Sequence, residues 1–133
     1  MPYKIVAAVL GGLLYTQLSF AHGEGELGPN KGYIRMPGGF HTEVVPTGKN
    51  FKVFLLDIEF KNPTVANSTV EFVLIQNKKE IKNSCSSEMD HFSCALPKDV
   101  SLKSGVLQIK ASRNGVTGGI AEYKLPLALA KHH

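Results

Sequence analysis

Apolar residues recur at every second position through most of the chain, and nowhere hold the three-to-four spacing of an amphipathic helix of useful length. Residues 51–60 carry the clearest case. Phe51, Val53 and Leu55 fall on one face of a pleated strand, and Phe54, Leu56, Ile58 and Phe60 on the other. Both faces are apolar in the first half, which predicts a central strand; Asp57 and Glu59 mark where the first face turns polar. Residues 69–76 resume the alternation, with Val70, Phe72 and Leu74 opposite Glu71, Val73 and Ile75. Asn77-Lys78-Lys79 then predicts a turn, and residues 80–85 a returning strand.

Shorter runs fill the rest. Residues 33–36 and 40–45 read as two strands across a Pro37-Gly38-Gly39 turn, with a further turn over 46–49. Residues 92–96, 100–103 and 106–111 are separated by Pro97-Lys98-Asp99 and by Ser104-Gly105. Arg113-Asn114-Gly115 and Gly118-Gly119 bracket a loop before a last strand over 120–129, where Pro126 suggests a sheet edge. Seven to nine short strands with Gly, Pro and Asn turns predict an all-β chain, an immunoglobulin-like antiparallel β-sandwich of two sheets, with a small barrel as the alternative. There is no Trp, so the buried indole of antibody-type domains is missing.

The first 21 residues do not fit that pattern. One positive charge at Lys4, an apolar run over 5–14 broken only by glycines, and Ser19-Phe20-Ala21 make a secretory signal cleaved after Ala21; the run is too short for a membrane span. The expected organisation is a signal peptide over 1–21, a flexible arm over 22–32 and a β-sandwich over 33–133. No cysteine sits at the cleavage point, so no lipid anchor is expected and the mature chain enters an oxidising compartment, without membrane insertion. There Cys85 and Cys94, the only cysteines, can pair; their spacing, and the lack of a second pair, argue against a structural zinc site. The formal net charge of +4 falls to +3 once Lys4 is removed, and the charges are scattered. Nucleic-acid binding would ask for a basic stripe with exposed aromatics, so no nucleic-acid partner is expected.

Candidate chemistry lies in three places. Cleavage after Ala21 makes His22 the first residue, whose α-amine and Nδ1 can close a chelate ring on copper(II). Met36 and His41 flank the Pro-Gly-Gly turn, with Glu43 on the same strand face as His41. Met89, Asp90 and His91 stand between the two cysteines, in a loop that a disulfide would preorganise. Each group has a plainer reading, as a chance terminus, a surface strand and a solvated hairpin tip. His132 and His133 read best as a frayed tail or an expression remnant. No Gly-x-Ser-x-Gly elbow, His-Glu-x-x-His helix or phosphate-cradling loop is present, and no enzyme is expected.

The segment Gly28-Pro29-Asn30-Lys31-Gly32-Tyr33-Ile34, followed by Gly39-Phe40-His41-Thr42-Glu43-Val44, resembles the Gly-Pro-x-Gly-Gly … Gly-x-x-x-Glu-(Leu/Val) signature. That signature marks small periplasmic heavy-metal-associated domains, including those attached to metal-efflux adaptor proteins. Lys31 departs from it, standing where the first glycine of the pair is usual. An N-terminal His with a later Asp-His pair also resembles the copper(II) ligand set of periplasmic copper-resistance β-sandwiches. That resemblance implies His22, Asp90 and His91 as ligands, with a turn at 89–91 to bring the adjacent pair inward. The resulting expectation is a periplasmic or secreted copper carrier or buffer, with zinc as the second choice of metal and a metal-efflux system or other envelope protein as a partner. The alternative is a non-catalytic immunoglobulin-like interaction or structural module.

Overall fold

The computed structural model describes residues 25–129. Nine strands run in the order β1 (Tyr33–Arg35), β2 (His41–Thr47), β3 (Asn50–Leu56), β4 (Thr69–Gln76), β5 (Lys79–Ser84), β6 (Ser86–Ser87), β7 (Phe92–Cys94), β8 (Gly105–Arg113) and β9 (Val116–Leu125). They form two antiparallel sheets, β1-β2-β3-β7-β6 and β5-β4-β8-β9. Setting β1 aside as an added edge, β2 to β9 follow the immunoglobulin Greek key: A-B-E-D in one sheet and C′-C-F-G in the other. The fold is therefore an immunoglobulin-like β-sandwich, as the pattern predicts.

Alternation builds the core. Phe51, Val53 and Leu55 of β3 meet Val70, Phe72 and Leu74 of β4 and Leu107 and Ile109 of β8 between the sheets. Tyr123 of β9 latches the sheets together, its hydroxyl lying 2.8 Å from Thr42 Oγ1 and 3.1 Å from the carbonyls of Tyr33 and Thr42. The other face of β3 is apolar for a different reason. Ile34, Phe54 and Leu56 form a small second cluster on the outer face of the five-stranded sheet, with Val45 and Phe60 against it.

β2 runs on to Thr47 and β7 stops at Cys94, where 45 and 96 were expected, and three further regions differ more. The expected strand over 51–60 stops at Leu56, because the Asp57 carboxylate accepts the N–H groups of Glu59 and Lys61 and Nδ2 of Asn62, closing a turn that outcompetes extension. Ile58 is consequently exposed. Residues 100–103 are not a strand; Val100 N–H donates to Pro97 O, and Gln76 Nε2 ties the loop through the carbonyls of Ser101 and Ser104. Asn114-Gly115, both at positive φ, make a two-residue hairpin turn, so β9 starts at Val116 and ends at Leu125, before Pro126. Gly118 and Gly119 lie inside β9. A Cβ on Gly118 would meet the Phe40 ring at 2.9 Å, and Gly119 N–H donates to Pro37 O.

The segment expected as a flexible arm contains a built turn from Gly28 to Gly32. Gly28 N–H donates to Gly32 O and Lys31 N–H to Gly28 O, and the turn so formed sits on Glu43. A Cβ on Gly28 would come within 2.6 Å of Ile34 Cδ1, and one on Gly32 within 2.6 Å of Val44 O, so both positions need glycine.

Candidate metal-binding site

Strand register gathers four loops at one end of the sandwich. His41 pairs with Leu56, at the start of β2 and the end of β3, and Phe92 at the start of β7 pairs with Val53. Arg113 at the end of β8 donates to the carbonyls of Leu55 and Asn62. Loops 36–40, 57–68, 88–91 and 114–115 therefore lie at this end, and the described candidate ligands Met36, His41, Met89, Asp90 and His91 lie among them.

Cys85 and Cys94 are bonded, as the spacing allows, with their Cα atoms 4.5 Å apart. Between them β6 and β7 form a tight hairpin: Ser87 pairs with Phe92, and Glu88 N–H donates to His91 O. Met89 and Asp90 are its tip, which supplies the turn that the Asp-His pair required. The result is not two independent ligands. His91 Nδ1 lies 2.9 Å from Asp90 Oδ1, and its ring rests on Phe54 with centroids 5.2 Å apart. With Nδ1–H donating to the carboxylate, the neutral ring keeps its lone pair on Nε2, the arrangement in which an outer carboxylate orients a metal-binding imidazole. The His91 side chain is 17% exposed and Asp90 55%. Met89 projects from the tip almost fully into solvent.

His41 is held in the same sense by different partners. Its Nδ1 lies 3.0 Å from the carbonyl of Asp57, which can only accept, so Nδ1 carries the proton. Phe60, at φ +64, folds back to stack on the ring with centroids 4.1 Å apart. Asp57 and Phe60 were not legible as site residues; the signal was the Asp57-to-Asn62 spacing of a carboxylate-capped turn, hidden inside an apolar alternation.

Glu43 shares the strand face of His41, as the pleat predicts, but its carboxylate is engaged elsewhere. Its side chain is fully buried, and its two oxygens accept Asn30 N–H, Asn30 Nδ2–H and Gly32 N–H at 2.8 to 2.9 Å. The acid of the Gly-x-x-x-Glu signature thus holds the Gly-Pro turn.

His41 and His91 do not converge. His41 begins β2 and His91 immediately precedes β7, the strands that flank β3, a sideways separation of about 10 Å with Phe54 and Leu56 of β3 between them. Among the described residues no three His, Cys, Asp or Glu side chains form a metal-ligating group. His22, His132 and His133 lie outside the described residues, as does the expected signal segment. A cleft of about 640 Å³ is lined by Val70, Cys85, Phe92 and Ala111 together with Glu71 and Lys110. No helix among the described residues is long and apolar enough to cross a membrane. Comparison with protein-family models, with characterised proteins and with solved structures returned no match.

Proposed function

We propose that the chain is a periplasmic or secreted copper-binding protein, a carrier or buffer in metal homeostasis or efflux, whose copper(II) site joins the N-terminal His22 to His91. The observation that carries this reading is the His91 imidazole, fixed through Nδ1 by Asp90 and left with Nε2 for a metal. The arm is rooted on the same face. Gly28 sits over Ile34 and Glu43, and the row Ile34, Glu43, Phe54 leads across the outer face of the sheet to His91. Glu43 and His91 are two strands apart, about 10 Å. Residues 22–28, fully extended, would span at most about 20 Å, a length that exceeds this separation.

Calorimetric titration of copper(II) and zinc(II) into untagged protein with an authentic His22 terminus tests the site. Substitutions His22→Ala and His91→Gln each weaken copper(II) binding by at least about tenfold, and Asp90→Asn by about tenfold, the range in which outer-sphere partners act. Unchanged affinity in His91→Gln sinks the assignment. A second reading, an immunoglobulin-like interaction module of the envelope, is favoured by the cleft lined by Val70, Phe92 and Ala111; it predicts no heat with either metal and a partner retained from envelope extract.

A further inference from the structure

We infer that the end of the sandwich opposite the candidate metal site docks on an anionic phospholipid surface, held there by Lys49, Lys78, Lys79, Lys98 and Lys103 without insertion of the chain. None of the proposed copper ligands takes part.

These lysines are scattered in the sequence and gathered by the fold. Lys49 stands in the β2–β3 turn, where Thr47 pairs with Asn50, and Lys78 and Lys79 close the β4–β5 turn, where Gln76 pairs with Lys79. Lys98 and Lys103 lie on the connection over 95–104 from β7 to β8. Side-chain hydrogen bonds lock the three segments together. Asn50 Oδ1 accepts Leu96 N–H at 3.0 Å, and Gln76 Nε2 donates to the carbonyls of Ser101 at 2.6 Å and Ser104 at 2.9 Å. All five lysines are exposed, and among the described residues none of them forms an ion pair. Asp99 is the one acid on these segments; Glu80, next along β5, lies 3.8 Å from Lys82 Nζ.

Charge is polarised along the sandwich. Five lysines stand against one acid at this end, whereas the loops at the other carry Asp57, Glu59, Glu88 and Asp90 against Lys61 and Arg113. A molecule so polarised meets a negative surface basic end first. The side chains present favour lipid over nucleic acid, because segments 47–50, 76–79 and 95–104 hold no aromatic residue on which a base could stack. They also favour a peripheral mode. Leu96, Val100 and Leu102 pack against the core, and no exposed large apolar residue lies on these segments, so the lysines meet headgroup phosphates and no side chain enters the acyl layer. Docked this way, the β6–β7 hairpin with His91 faces the aqueous phase.

The test is co-sedimentation of the untagged protein with vesicles of phosphatidylcholine alone or of phosphatidylcholine with about one-third phosphatidylglycerol. The wild type partitions onto the anionic vesicles and not the neutral ones, and raised salt releases it. Each lysine near such a surface is worth about fivefold in partitioning, so Lys78→Gln, Lys98→Gln and Lys103→Gln together lower it by about a hundredfold, with the circular dichroism spectrum unchanged. Lys61→Gln with Lys110→Gln, both remote from this end, leaves it within about twofold. No excess on anionic vesicles overturns the proposal. So does a comparable loss per charge in the Lys61 and Lys110 variant, which would make the binding a matter of net charge alone. Displacement by inorganic phosphate at constant ionic strength would replace the membrane with a single-anion pocket, and tighter retention by duplex DNA at equal phosphate concentration would replace it with nucleic acid; either result overturns the assignment. Copper(II) affinity is read in the separate titration, so the two proposals fail independently.

Discussion

Lys31 adopts φ +62, a left-handed conformation that costs an L-residue about 1 to 2 kcal/mol, part of which glycine gives back through the entropy of the unfolded chain. The turn tolerates the strain because Asn30 and Gly32 on either side are held by Glu43. Lys31→Gly is therefore expected to stabilise the protein by about 1 kcal/mol, read as a raised urea midpoint with unchanged slope; an unchanged midpoint would mean the strain is relieved elsewhere. At this scale the pleat was legible and the partners were not. Alternation alone put His41 and Glu43 on one face, but the groups that consume Glu43 come from 11 and 13 residues away, and no local pattern reports them.

The turn after β3 is the element most at variance with the hydrophobic pattern, and it positions His41. Its stability depends on pH with a definite sign. The Asp57 carboxyl is held below its ordinary value of 3.8, chiefly by the Lys61 N–H, then by Asn62, with Glu59 N–H and the Arg113 charge adding to them against a desolvation that works the other way. A carboxyl lowered by folding stabilises the native state above its ordinary value, and that contribution is lost as pH falls through the lower, folded value. Asp57→Asn should thus cost stability at neutral pH and progressively less in acid, where the native carboxyl is itself protonated. Urea unfolding of both proteins across the acid limb checks this; a constant difference at all pH values would show that the charge plays no part. The hairpin between Cys85 and Cys94 was the more legible element. Its two cysteines declare their own closure, worth about 2 to 3 kcal/mol for so short a loop on the chain-entropy model. Asp90 and His91, adjacent in sequence, needed only the Met89-Asp90 tip to meet.

For the whole molecule, fold and site differ in legibility because they differ in range. Each strand announces itself within eight or ten residues, and sheet order follows from hairpins and Greek-key crossovers. Convergence of His22, His41 and His91 depends on which strands are neighbours, and there the sandwich separates two of them across Phe54 and Leu56. The proposed copper(II) site then ties His22 to the β6–β7 hairpin, so binding should stabilise the whole domain and not only the arm. A ligand that binds the native state alone adds about 2.7 kcal/mol at a hundredfold excess over its dissociation constant. For a domain of this size that corresponds to a rise in Tm of about 10 °C. Scanning calorimetry with and without copper(II) should show that rise in protein with a free His22 α-amine and lose most of it when the amine is blocked, while copper-free Tm stays the same in both. A rise that survives blocking would place the copper(II) ligands wholly within the sandwich and leave the arm out of the site.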